Sequence, residues 1–192
     1  GFYRFKTKLD NKDLLNFDKI TDCMINQSAD HEPGLKTYYH AKTHGYLIEN
    51  LIRKITKKTL KEYFKENFQT KYNLNFCFGF EEKDFENVAD LIKNKKNNQD
   101  HNGEFNAFNN PEHDVMFYNT KGWRLAGVPS MGGHGSALAV AKLYDILAND
   151  LMLDNNKIIR KNKFQEILSQ TESRMDNSLK LPIKWTYSGY IL

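Results

Sequence analysis

Apolar residues return every three or four positions along several stretches of this chain, and those stretches are where helices are predicted. In "NKDLLNFDKITDCMINQ", Leu14, Phe17, Ile20, Met24 and Ile25 fall near helical spacing. Over 41–55, Leu47, Leu51 and Ile55 recur every fourth residue and Ile48 and Ile52 widen the stripe, which predicts an amphipathic helix. Between the two, "SADHEPGLK" reads as a loop, because Pro33 disfavours helix at Glu32 and Pro33-Gly34 is a turn dipeptide. A third helix is predicted from Thr59, where Thr59 and Glu62 have capping-box spacing ahead of Tyr63, Phe64 and Phe68. "LNFCFGFEE" alternates Phe76, Phe78 and Phe80, as a short strand or an extended packed loop does. The polar, Asn-rich run over 93–114 reads as a long exposed loop.

After that run, "SMGGHGSALAVAKLYDILAND" reads as a glycine-rich turn entering an apolar helix. Ser136 is placed to cap that helix, and Leu138, Ala141, Tyr144 and Ile146 or Leu147 are placed to bury. A short helix over 164–168 follows, and the tail "IKWTYSGYIL" is strand-like. The predicted class is α+β, predominantly helical, with its sheet small or missing, in one domain over 1–192.

Composition narrows the functions open to such a chain. With 192 residues, 40% hydrophobic and 27% charged, it is long enough to build one sizeable core. The net charge of +4 is spread among neighbouring acids, so no basic face is laid out for nucleic acid and no nucleic-acid partner is expected. No apolar run reaches membrane-spanning length. Cys23 and Cys77 lack metal-ligand spacing and read as buried thiols of a reducing compartment, with a single disulfide left open. The opening "GFYRFKTKLD" has no initiator Met and no signal-peptide pattern, so the chain is expected to be processed or a piece of something longer. The cytoplasm is the weakly preferred compartment, and a mitochondrial one stays open.

The familiar chemical motifs are mostly absent. There is no P-loop and no dinucleotide-binding glycine motif, and no cofactor is expected. Gly132-Gly133-His134-Gly135 precedes a helix, where an anion could be held, but the preferred reading is a tight turn that brings the backbone close to a neighbouring helix. His40 and His44 are spaced to share a helix face. Without a His-Glu-x-x-His pattern, and with any third ligand drawn from a distant residue such as His101 or His113, no metal is expected. No Gly-x-Ser-x-Gly elbow occurs. Nor does Ser-x-x-Lys: three places after Ser28, Ser130, Ser136, Ser169, Ser173, Ser178 and Ser188 stand His31, Gly133, Ala139, Glu172, Asp176, Leu181 and Ile191.

At "EPGLKTYYHAKTHGYLIENLIRK" the sequence resembles the serine beta-lactamase-related family, which includes class C beta-lactamases, penicillin-binding proteins, esterases of the same fold and eukaryotic beta-lactamase-like proteins. The pattern stands here as Pro33-Gly34, Tyr39-His40-Ala41, Thr43, Gly45 and Leu47. The run "LDNKDLLNFDKITDCMINQSADHEPG" is similar to what precedes this turn in the family. "FNNPEHDVMFYNTKGWRLAGVPSMGGHGSALAVAKLYDILAND" and "LPIKWTYSGYIL" are similar to later segments.

The resemblance implies a partial beta-lactamase/transpeptidase-like fold, the helical subdomain with most of the sheet missing. It also implies that Tyr39 takes the place of the family's proton-transferring tyrosine, with His40, Gly133 and His134 as candidate substrate-binding residues. Ala41 stands where the family's Tyr-x-Asn motif has Asn. A small ester, amide or peptide-like substrate is therefore expected rather than a beta-lactam.

The family's Ser-x-x-Lys and Lys/His-x-Gly elements are absent from these residues. The chain is thus expected to be a segment of a beta-lactamase-like serine hydrolase, inactive alone because nothing in it forms an acyl-enzyme. Whether it counts as an enzyme at all stays open. The alternatives are a non-catalytic relative serving as a binding or assembly module, and an unrelated helical domain in which Tyr39 and His40 merely start a helix. Homo-oligomerisation is left open. Trp123 and Arg124 read as core or rim, or else as a substrate wall, and Trp185 and Tyr187 as anchors of the tail.

Overall fold

The computed structural model describes residues 1–93, 105–149, 151–169 and 172–186. Tyr187 and His101 lie outside the described residues, as does half of the polar run over 93–114. The first predicted helix is split in two. A 3-10 turn over Asp13–Leu15 is followed by Asn16 in extended conformation, and Asn16 accepts from the Lys19 amide to cap α1, Phe17–Asn26. The second helix is α2, Thr43–Thr56. The Thr59–Glu62 capping box forms as expected and opens α3, Leu60–Phe64, which runs on into a π turn over Lys65–Gln69.

Phe76–Phe78 is a strand, β1. It pairs antiparallel with β2, Gly133–Gly135, so the glycine cluster is an edge of backbone pairing rather than a turn. Glycine is required there because a Cβ on Gly135 would come 2.5 Å from the Phe76 ring. Two short helices precede β2: α4, Val115–Tyr118, and α5, Lys121–Ala126, capped by Asp114 and Thr120 respectively. Ser136 caps α6, Ala137–Ala148, as its sequence position foretold. Two more antiparallel pairs complete the described residues. One is β3 (Met152–Leu153) with β4 (Asn156–Lys157); after α7, Lys161–Ser169, the other is β5 (Ser173–Asp176) with β6 (Leu181–Lys184). The architecture is α+β and mainly helical, and among the described residues its sheets have two strands each.

The main core gathers Phe5, Leu9, Leu14, Ile20, Met24, Tyr46, Tyr118, Trp123 and Val128. Trp123 is thereby assigned to the core, and buried Arg124 pairs with Asp90. A smaller cluster sets Tyr72 and Leu74 against Ile146 and Leu153. The described end of the polar run departs from the expected exposed loop. Ala107 and Asn110 are buried, and the Asn110 amide donates to the Phe5 and Thr7 carbonyls while its oxygen accepts from the Leu9 amide. Those three bonds stitch an otherwise polar stretch to the N-terminal segment, which composition alone cannot foretell.

The apolar faces of α2 and α6 point outward. Leu47, Ile48, Leu51 and Ile55 of α2 are exposed, while Thr43, Tyr46 and Glu49 are buried. On α6, Leu138 and Tyr144 are exposed and Ala139 and Ile146 carry the burial. Polar bonds orient α2. The Tyr46 hydroxyl donates to the Leu14 carbonyl at 2.6 Å and the Asn50 amide donates to Thr21 Oγ1 at 3.1 Å. Buried Glu49 pairs with Arg53, whose guanidinium lies 3.8 Å from the centre of the Phe17 ring. Among the described residues, no helix is long and apolar enough to cross a membrane.

Candidate functional site

The residues that start α2 form one wall of a cleft of about 570 Å³. Tyr38, Tyr39 and His40 come from the loop before the helix, and His44, Gly45 and Leu47 from its first turns. Pro129 and Ser130, just beyond α5, form a second wall, and Trp185 and Thr186, just beyond β6, a third. Segments about 90 and 140 residues apart thus converge on one tyrosine. A larger depression of about 790 Å³ beside α1 is lined by mixed, exposed groups such as Lys6, Asp18 and Asp22. It is wide open and brings together no combination of groups with evident chemistry.

Tyr39 stacks with two aromatic rings. Phe108 stacks on it at a centroid distance of 5.9 Å and 25° between planes, and Trp185 at 5.9 Å and 14°. Stacked rings bury the flat faces of a phenol and leave its edge accessible. Tyr39 is 37% exposed. Its carbonyl accepts from the Ser178 hydroxyl at 3.0 Å, so backbone and ring are both held.

His40 turns its Nδ1 to Thr43 Oγ1 at 3.0 Å, at the N-terminal end of α2. Burial, with the N-terminal ammonium and His44 nearby, lowers its pKa to about 4, so the ring is neutral at ordinary pH. Lys42 is buried and donates its ammonium to the Phe108 carbonyl, and burial lowers its pKa to about 8. Its role is therefore to brace the Phe108 strap behind Tyr39.

Ser130 is a serine on the cleft wall, and its hydroxyl is already committed. It donates to the Lys42 carbonyl and accepts from the Gly45 amide at 3.1 Å. With its proton on a backbone carbonyl and no base bonded to it, Ser130 pins α2 rather than acting as a nucleophile. Gly45 makes that contact feasible, since a Cβ there would lie 2.5 Å from Ser130.

Of the residues singled out in the sequence, the structure brings Tyr39 and His40 together on the cleft. Gly133 and His134 lie elsewhere, in β2, where His134 packs on Phe80 at 4.5 Å and turns its Nδ1 to the Gly132 carbonyl. His44 lines the cleft, and among the described residues no group of three or more metal-ligating side chains forms. Cys23 and Cys77 are free thiols, both half-buried. Sequence reasoning missed Phe108, Ser130 and the contact that brings Trp185 onto Tyr39. The single signal it had was that Trp185 is a large aromatic in a strand-like tail.

No family model and no curated protein matches the sequence. Solved structures do match. A penicillin-binding protein homolog from Caulobacter crescentus aligns with 100% of this chain at a TM-score of 0.84 and 23% identity. A family VIII carboxylesterase aligns with 100% of it at 0.87 and 24% identity, and EstA from Arthrobacter nitroguajacolicus Rue61a with 97% at 0.80 and 20%. The aligned part is 52% of each of those proteins, so the chain spans about half their length. The likeness gives the fold: these residues adopt part of a beta-lactamase/transpeptidase-like fold.

Proposed function

We propose that the Tyr39 cleft is the substrate side of an acyl-transfer site, and that residues 1–192 are a segment of a beta-lactamase-like serine hydrolase of the esterase or amidase type. The substrate would be a small ester, amide or peptide-like molecule. The observation that carries this reading is Tyr39 itself, held by stacking with two aromatic rings and by its carbonyl, on a cleft built from three distant segments. A tyrosine used for proton transfer needs such fixed placement, because the transfer tolerates little misalignment. In this reading Tyr39 relays the proton between nucleophile and leaving group, and neutral His40 shapes the wall beside it together with the His44 side chain. Gly133 and His134, paired with β1 and away from the cleft, hold that fold edge in place.

Residues 1–192 hold no Ser-x-x-Lys, and Ser130 is tied to backbone, so this segment alone does not form an acyl-enzyme. The expected result with p-nitrophenyl butyrate and with nitrocefin is no turnover by the purified chain. NMR titration with the same butyrate ester is expected to move the amides of Tyr39, His44, Ser130 and Trp185. Shifts confined to other surfaces would overturn the assignment of the cleft, and turnover lost in Tyr39→Phe would overturn the inactivity of the segment.

A second reading, a non-catalytic binding or assembly module on the same fold, is favoured by one observation: the outward apolar stripe of α2 begins at the cleft with Leu47.

A further inference from the structure

Asp176 is completely buried, at 0% exposure, yet it is an acid on a two-stranded hairpin. Three donors converge on its carboxylate. Oδ1 accepts from the Ser178 and Leu179 amides, both at 2.9 Å, and Oδ2 accepts from the indole Nε1 of Trp185 at 3.0 Å. The first pair builds the turn between β5 and β6. The third bond reaches across the hairpin to the residue that follows β6. Burying a carboxylate is costly unless hydrogen bonds replace its water, and a turn alone is ordinarily made with exposed Asp or Asn. The depth of Asp176 therefore calls for an account beyond turn formation.

That account lies at the other end of the indole. Trp185 stacks nearly parallel on Tyr39, and the same hairpin sends the Ser178 hydroxyl to the Tyr39 carbonyl. It is also joined to the tyrosine loop at Thr37, whose carbonyl accepts from the Asn177 amide at 2.9 Å, with Thr37 bridged to Asp176. Stacking tolerates sliding and rotation, whereas a charge-assisted hydrogen bond at the indole edge fixes where the ring plane lies. We infer that Asp176 is a positioning residue for the cleft: through its bond to the Trp185 indole it sets the plane against which Tyr39 is held. This rests on the reading of Tyr39 as the functional tyrosine, but the geometry it describes does not require turnover.

The test reads ring position directly. In Asp176→Asn the amide offers one acceptor atom where the carboxylate offers two, so a donor meets a donor on one side of the site. Trp185→Phe keeps an aromatic face but removes the N–H together with the fused five-membered ring, so its smaller ring current shifts Tyr39 by itself, and it serves as the background in which the effect of Asp176→Asn is read. The Tyr39 ring resonances of the full chain, labelled at tyrosine, are followed by NMR beside those of Trp185→Ala, which lacks the stack. In Asp176→Asn the Tyr39 signals are expected to move downfield towards the Trp185→Ala positions, while the signals of Tyr46 and Tyr118 in the core stay in place. Adding Asp176→Asn to Trp185→Phe is expected to produce no further Tyr39 shift.

Two outcomes overturn the inference: unmoved Tyr39 signals in Asp176→Asn, or an undiminished effect of Asp176→Asn in the Trp185→Phe background. If Asp176→Asn does not fold, the indole N–H signal of Trp185 in the unaltered chain decides: a downfield position with slow solvent exchange supports the bond to Asp176, and the position and exchange of a free indole overturn it. A failure of the hydrolase reading would appear in the butyrate titration and leave these ring signals unchanged, so the two failures are distinguishable.

Discussion

α1 and α2 follow one another in the chain, carry comparable apolar stripes, and face opposite ways. On α1, Ile20 and Met24 are buried in the main core. On α2, Leu47, Leu51 and Ile55 stand at the same kind of spacing and look into solvent, while Tyr46 and the Glu49–Arg53 pair look inward. Periodicity determines which residues share a face; it does not determine where that face looks. For α2 the direction is set by specific polar bonds, namely Tyr46 to Leu14, Asn50 to Thr21 and the Gly45–Ser130 contact.

The largest test of this contrast applies one chemical change to both helices. Ile20 is 0% exposed and Ile55 is 79% exposed. Ile20→Ala is expected to lower stability by about 4 kcal/mol through lost burial and a residual cavity, and Ile55→Ala by less than about 0.5 kcal/mol. Urea unfolding of the two variants measures the difference. Equal losses would mean that the α2 stripe is covered in solution and the contrast between the helices is false.

A second substitution attacks the device that turns α2. Gly45→Ala forces a Cβ to within 2.5 Å of the Ser130 amide and hydroxyl and 2.6 Å of the Pro129 carbonyl carbon. Two of those atoms are backbone, so relief requires α2 and the 129–130 segment to part. A loss of about 3 kcal/mol is expected in thermal or urea melts, at the upper end of typical overpacking costs. The amides of Tyr39 and Trp185 should shift with it, because they line the same cleft.

How much of this was legible beforehand follows the range of the interactions involved. The caps at Thr59 and Ser136 were readable because a cap is settled within four residues. Tyr39 was legible as a candidate through resemblance, and the structure sets it on a cleft. Its aromatic partners were not legible, since Phe108 and Trp185 lie about 70 and 145 residues away and neither carries a local signature. The run ending at Asp114 looked like exposed loop because Asn is usually a loop residue, yet Asn110 fills a buried slot by matching three backbone groups. The glycine cluster was correctly read as a place of close approach, but the approach is to the Phe76 strand rather than to a helix.

The next effect is smaller and depends on pH. His40, at the start of α2, has its pKa lowered from 6.5 to about 4, chiefly by burial. Between those values the unfolded chain takes up a proton that the folded chain does not. Stability therefore falls as pH drops from about 6.5 to about 4, and this contribution levels off below that, where both states are protonated. It amounts to about 2 kcal/mol at most once partial solvent screening is allowed for. Carboxylates add their own acid dependence, so the informative quantity is the difference between the protein and His40→Asn. The variant should lose less stability over this window in urea titrations at several pH values. Parallel curves would show that His40 is solvated and that the start of α2 is looser than its hydrogen bond to Thr43 indicates.

The smallest expected change in stability accompanies a clear change in surface behaviour. Leu51 and Ile55 leave apolar area in water on α2, and Lys54 between them already shows that charge is tolerated on that side. Replacing both by Lys removes no buried contact, so unfolding free energy should stay within about 0.5 kcal/mol of the starting protein. The same double variant should bind less of a hydrophobic dye such as ANS, because adjacent leucine and isoleucine side chains on one helix face form an apolar patch that the dye can cover. If dye binding does not change while stability falls by several kcal/mol, the stripe is packed against something in the folded chain. The opposite orientations of α1 and α2 would then have to be abandoned. If dye binding falls and stability holds, the outward face of α2 is established as free apolar surface that starts at the Tyr39 cleft.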